Sequence, residues 1–111
     1  MKRLWIVMLV VGVSLVAAVL AAQEKAASAQ ERVANGRRMF MEQGCYGCHT
    51  VKNFGTPIGP DLSRVGTKYS ESYLKNWLRD PAMQRPSAHM PKLELTEPQI
   101  ALLAAFLVSL E

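Results

Sequence analysis

Residues 45–49 read Cys-Tyr-Gly-Cys-His, and they hold both cysteines of this 111-residue chain and one of its two histidines. Two thiols separated by two residues can reach the two vinyl groups on one edge of a haem, and a histidine directly after the second cysteine is then delivered beneath the iron. The spacing points to covalent haem, with Cys45 and Cys48 as attachment residues and His49 as an axial ligand. Two other chemistries use paired cysteines. A zinc site needs a fourth Cys or His ligand, and outside the motif the chain offers only His89 and scattered carboxylates. A thioredoxin-like dithiol needs a βαβ pattern beside the CxxC, and no strand-like alternation occurs there.

The second constraint lies at the N-terminus. From Leu4 to Ala22 the chain carries no charge and is almost wholly apolar, with Lys2 and Arg3 before it and Gln23, Glu24 and Lys25 after it. A run of about 19 residues is long for an export signal and long enough to span ~30 Å of hydrocarbon. Small-residue cleavage patterns nevertheless follow, at Val19-Leu20-Ala21 and Ala27-Ser28-Ala29. Residues 1–29 are therefore a signal peptide or an uncleaved membrane anchor with its linker, and residues 30–111 are the haem domain. In both cases Lys2 and Arg3 keep the N-terminus on the cytoplasmic side. The expected location is exported: periplasmic, or the extracytoplasmic face of the inner membrane if the anchor is retained.

Charge and size narrow the reading further. The net charge of +4 belongs partly to the leader, since from Gln30 onward ten Lys and Arg face eight Asp and Glu. Two haem propionates would offset that small excess, so no nucleic-acid partner is inferred. Arg37, Arg38, Lys52, Lys68 and Lys75 are read as a solvated scatter in preference to a ring that steers an acidic partner. A domain of roughly 80 residues buries a modest fraction of its surface, so the cofactor is expected to supply much of the core.

The element pattern is all-helical. Gln23 to Gln30 reads as a linker or frayed helix start. Glu31 to Gln43 reads as a helix, with Val33, Gly36, Arg37 and Phe40 on neighbouring faces and Gly44 as its stop. Thr50 to Lys68 is rich in Gly and Pro and reads as a loop that wraps one haem edge. Ser70 caps a short helix with Tyr73, Leu74, Trp77 and Leu78 as its stripe, stopped at Asp80 before Pro81. Pro81 to Leu95 reads as a second loop. Thr96 and Gln99 form a capping box for a final helix from Glu97 to Leu110, with Ile100, Leu103, Ala104, Leu107 and Leu110 on one face.

The residue on the other side of the iron separates an electron carrier from a site open to small molecules. Outside the leader the methionines are Met39, Met41, Met83 and Met90. Met39 and Met41 lie on the helix that leads into Cys45, too near the attachment edge to cross the opposite face. Met90 sits in an irregular loop before Pro91, which restricts its backbone, and its soft thioether suits ferrous iron. Met90 is the preferred ligand, ahead of His89 and Met83. Neighbouring side chains of an extended loop point oppositely, so His89 is expected to face solvent.

With CYGCH, Gly59-Pro60-Asp61-Leu62 and Met90-Pro91 in this order, the chain resembles the class I monohaem cytochromes c over nearly all of residues 31–111. The resemblance implies a small all-α fold of short helices packed around one covalent haem c, behind the hydrophobic leader or anchor. It implies that Cys45 and Cys48 hold the haem, that His49 and Met90 ligate its iron, and that the Pro60 carbonyl accepts a hydrogen bond from His49. Gly36 and Phe40 match residues that cross the last helix near Leu103 and Phe106, where Phe106 stands in place of a common Tyr. Trp77 resembles a tryptophan that some members place near a propionate, with haem-side packing as its other reading. Tyr69 to Met90 is similar to the same stretch in monohaem subunits of bacterial terminal oxidases. The function implied is single-electron transfer without bond making, in a respiratory or photosynthetic chain, between partners such as a cytochrome reductase and a terminal oxidase or other reductase. Two rivals stand beside it: a membrane-anchored electron-input subunit of an oxidase or reductase, and a haem sensor or enzyme with an open sixth position.

Overall fold

The computed structural model describes all 111 residues and divides into two compact units, Met1–Glu31 and Arg32–Glu111. Helical geometry is unbroken in α1, Lys2–Glu42. Of the two readings of 23–30, linker or frayed helix start, the structure has helix throughout, and the stretch is alanine-rich with neither Gly nor Pro to interrupt the hydrogen-bond ladder. In the first unit the large apolar side chains from Leu4 to Leu20 are all exposed, and the helix is long and apolar enough to cross a membrane by length and composition.

The second unit holds the core. Its other helices are α2 (Glu71–Arg79), α3 (Pro81–Gln84) and α4 (Glu97–Val108). Ser70 caps α2 by accepting from the Tyr73 N–H, and Thr96 and Gln99 form the reciprocal capping box of α4. Leu74 and Leu78 of α2 are buried against α4, which buries Ile100, Leu103, Ala104, Ala105, Phe106 and Leu107. So wide a buried face marks α4 as the central helix, where a one-sided stripe was expected. Each fully buried side chain of the Leu or Phe class contributes about 1.5–3 kcal/mol. Arg79 and Glu97 tie the two helices outside the core by paired contacts of 2.7 Å. The last helix stops at Val108, short of the expected Leu110, and the Leu110 carbonyl instead accepts from the Gly66 N–H at 2.8 Å.

Two expected loops contain short elements. Thr50–Val51 (β1) and Phe54–Gly55 (β2) pair as a minimal antiparallel ribbon, and Val65–Thr67 forms a 3-10 turn. Two-residue strands are too short for alternation to register in sequence. Between Pro81 and Leu95, α3 forms because Asp80 accepts from the Ala82 N–H and Pro81 occupies the first turn, where its missing N–H is not needed. Asp80 thus ends one helix and starts the next.

The C-terminal part of α1 meets α4 at Gly36. A Cβ on Gly36 would run into the Leu102 carbonyl and the Phe106 Cβ, so only hydrogen fits between the two backbones. One turn later Phe40 packs edge-on against Phe106, with centroids 5.4 Å apart, and against Tyr46 at 4.8 Å. Phe106 thus keeps the ring contact expected of that position. Arg37, placed on a neighbouring face by the sequence pattern, is exposed.

Gly36→Ala tests the crossing. Helix propensity alone would favour alanine by about 1 kcal/mol. Overpacking costs about 1–3 kcal/mol, and the alanine methyl meets backbone that cannot rotate away. Thermal unfolding of the haem-loaded protein is expected at a lower Tm; an unchanged or raised Tm would show that the backbones can separate at no cost.

Candidate functional site

The motif is presented by the turn that closes α1. Gln43 and Gly44 donate back to the Met39 and Met41 carbonyls, Gly44 takes a left-handed conformation (φ 74°), and Cys45–Gly47 form a 3-10 turn. The Cys45 carbonyl then accepts from the N–H groups of both Cys48 (3.1 Å) and His49 (2.9 Å), gathering the three residues on one short arc. Both thiols are free, Cys45 half-buried and Cys48 exposed. Burial pushes the Cys45 thiol up to about 11, the reverse of the lowered value that activates a redox dithiol. No three His, Cys, Asp or Glu side chains converge anywhere in the chain, so a zinc reading finds no ligand set.

His49 is oriented by the following loop. Its Nδ1 lies 2.8 Å from the Pro60 carbonyl oxygen. A carbonyl only accepts, so Nδ1 carries the proton and the lone pair of Nε2 is left free. Gly59 backs the same ring: a Cβ there would stand 2.7 Å from Cε1 and 3.0 Å from Nδ1. Any side chain at residue 59 would push the imidazole out of place.

The loop is pinned by Asp61. Its carboxylate accepts from the Thr50 hydroxyl (2.5 Å), the Ser63 N–H (3.0 Å) and the Ser63 hydroxyl (3.1 Å), while Ser63 in turn accepts from the Lys52 N–H. The Thr50 hydroxyl first, and then both Ser63 donors, hold the Asp61 carboxyl below its usual value. In the sequence Asp61 stands out only as part of Gly59-Pro60-Asp61-Leu62. The signal for its own role is the Asp-x-Ser spacing, in which an Asx side chain bonds backbone two residues on.

Met90 is half-buried and packs against the same core cluster as Cys45. Its sulfur accepts from the Trp77 indole N–H at 3.1 Å. Trp77 thus turns its only polar atom to the thioether, a partner thirteen residues away that no helical period announces. Met83 and Met41 are exposed, and Met39 sits on α1 with its sulfur near the Gln43 amide. His89 is exposed, as the alternation of an extended loop requires. His49 and Met90 each have a partner of their own, the Pro60 carbonyl and the Trp77 indole. Of the five basic residues, Arg38 and Lys75 face acids on their own helices at 3.7 and 3.4 Å.

The cytochrome c family model matches residues 33–111. The chain belongs to the cytochrome c family. It is 35% identical over 91 residues to cytochrome c oxidase subunit 2 of Alkalihalophilus pseudofirmus, covering 73% of this chain and 27% of that one. It is 28% identical over 83 residues to a subunit of the nitric oxide reductase of Stutzerimonas stutzeri, covering 69% of this chain and 57% of that one. The chain therefore spans only part of the length of either relative.

Membership brings a covalent haem c and electron transfer, and the residues present fit that cofactor. Two free thiols stand two residues apart, an imidazole has its Nδ1 engaged and its Nε2 free, and a half-buried thioether lies in the later loop. This donor set is soft and neutral, suited to iron in both oxidation states.

The Asp61 network has a pH signature. Because the folded value is depressed below the ordinary ~3.9, its stabilisation is fully present above about pH 4 and is lost as pH falls through the folded value. Asp61→Asn is expected to lower Tm at pH 7, with the gap from the parent protein narrowing as pH falls below about 4. A gap constant from about pH 7 down to about 2.5 would count against the network.

Proposed function

We propose that the chain is a membrane-anchored, monohaem cytochrome c that passes single electrons on the outer face of the membrane, as the electron-input subunit of a terminal oxidase or another reductase. The observation that carries the reading is the pairing of a positioned imidazole with a thioether on separate loops: His49 held by Pro60, Met90 held by Trp77. Cys45 and Cys48 would hold the haem by thioethers, and His49 through Nε2 and Met90 through its sulfur would ligate its iron. When bound, the haem supplies a one-electron Fe(III)/Fe(II) couple. Two neutral protein ligands kept in both states would leave little to rearrange, and no catalytic base or nucleophile would be needed beside them. With Met90 as the second ligand no position on the iron would be left open, which favours an electron carrier over a gas sensor or haem enzyme.

The anchored reading is supported by the unbroken helix through both small-residue cleavage patterns and by the relatives, each a subunit of an oxidase or a reductase. Lys2 and Arg3 before the apolar run favour an N-terminus in the cytoplasm and a haem domain outside. A freely diffusing periplasmic carrier, released by cleavage after Ala21 or Ala29, is the second reading.

Intact mass of the protein isolated from its native host tests attachment and anchoring together. The expected mass is the full chain plus one haem, from protein that detergent releases from membranes and high salt does not. A haem-free mass would defeat the proposal, and a haem-bearing mass without the leader would put the free carrier in its place. For the ligands, the ferric protein is expected to show the weak far-red absorption of a methionine-to-iron bond, and Met90→Leu to lose it with a fall in reduction potential. Persistence of that band in Met90→Leu would move the ligand elsewhere.

A further inference from the structure

Three oxidisable rings stand in one row along α2. Tyr69 lies just before the helix and is exposed, and Tyr73 and Trp77 follow at intervals of four residues, both half-buried. Tyr69 stacks on Tyr73 with centroids 4.5 Å apart and planes 12° apart, and Tyr73 on Trp77 at 6.4 Å and 23°. Ser70 fixes the start of the helix between the first ring and the second, so the cap sets the register of the row. At its inner end the indole nitrogen is 3.1 Å from the Met90 sulfur. The row therefore runs from solvent to a thioether. Packing alone does not call for it: Leu74 and Leu78 make the buried contacts of α2, while Tyr69 remains exposed. The other aromatic cluster, Phe54, Tyr46, Phe40 and Phe106, meets edge-on and contains three phenylalanines, which give up an electron far less readily than phenols and indoles.

We propose that Tyr69, Tyr73 and Trp77 form a path that carries one-electron oxidation away from Met90 and out to the protein surface. The assignment of Met90 as an iron ligand supplies its purpose, and the proposal rests on that assignment. Oxidation turns a methionine thioether into a polar sulfoxide, which has lost the soft sulfur that iron takes. The oxidants concerned are strong one-electron oxidants such as carbonate radical, which takes one electron and becomes carbonate. When Trp77 or the Met90 sulfur loses that electron, Tyr73 replaces it, and Tyr69 in turn restores Tyr73. The net change is the loss of one electron and the phenolic proton from Tyr69, the proton passing to water. A neutral phenoxyl radical is left at the exposed end, where a small reductant returns one electron and one proton. Trp77 and Met90 end unchanged.

The test exposes ferric, haem-loaded, full-length protein to photogenerated carbonate radical with a nitroso spin trap present, and locates the products by peptide mass spectrometry. In the parent the trap is expected on Tyr69, with little oxidation of Trp77 or Met90. Tyr73→Phe keeps the stacked ring and removes the phenol, so the path is cut and the fold retained. Oxidation at Trp77 and Met90 is then expected to rise several-fold and the Tyr69 adduct to fall. Unchanged yields at all three residues overturn the proposal, because Tyr69 would then be attacked directly from solvent. Hydrogen peroxide supplies the control, since it passes an oxygen atom straight to sulfur and needs no path. Its yield of Met90 sulfoxide is expected to be equal in parent and variant. A rise matching the one seen with carbonate radical would make Tyr73 a mere shield and overturn the proposal. Tyr69→Phe, at the exposed end, is expected to move the adduct to Tyr73, and an adduct absent from Tyr73 overturns the proposal as well. A missing methionine-to-iron band in the untreated ferric protein would take Met90 off the iron, and with it the purpose of the path, while the adduct pattern stands; the two failures are thus told apart.

Discussion

The contact at Gly36 governs the rest of the haem domain. Two helices can come close enough for hydrogen to touch carbonyl only where one of them lacks a side chain, and α1 does so against Leu102 of α4. From that point Phe40 is driven into Phe106 and Tyr46, and the end of α1 is fixed just before Cys45. The motif is therefore placed by the core, through one helix turn and one glycine cap. Packing interiors of this density respond to a methyl group, so displacement at Gly36 is carried to the thiols.

The two proposed ligands depend on different supports. His49 leans on the loop after it, with Gly59 against its ring, the Pro60 carbonyl at Nδ1 and Asp61 locking the loop to Thr50 and Ser63. Met90 leans on α2 through Trp77. Neither side chain is held by its neighbours in sequence, and neither is held by the other. A cofactor held by both, as proposed, would be braced by two independent supports, which suits a centre that must look alike before and after gaining an electron.

Much of this arrangement is legible in the residues, and the exceptions share a cause. CYGCH announces its chemistry because the thiols and imidazole are adjacent in sequence; the caps at Ser70 and Thr96 and the stop at Gly44 are likewise local signals. The state of 23–30 stays open between linker and helix start in the sequence because alanine-rich polar sequence is at home in both, and the helical flanks settle it. The two-residue strands escape a sequence reading because a ladder that short leaves no period. The Trp77 contact escapes it for a different reason: its partner lies thirteen residues on and across a loop, and a tryptophan in an apolar stripe does not disclose where its one N–H points. The Asp61 lock is readable from Asp-x-Ser, but it stands beside the more conspicuous Pro60.

The uneven cover of the two cysteines has a bearing on how the protein is made. Cys48 lies open, but Cys45 is half-covered, and its proton is held until far above neutral pH. A protonated, shielded sulfur is a poor reactant, so once the chain has closed, joining it to anything as large as a tetrapyrrole is slow. Bond formation at residue 45 is favoured while the polypeptide is still open.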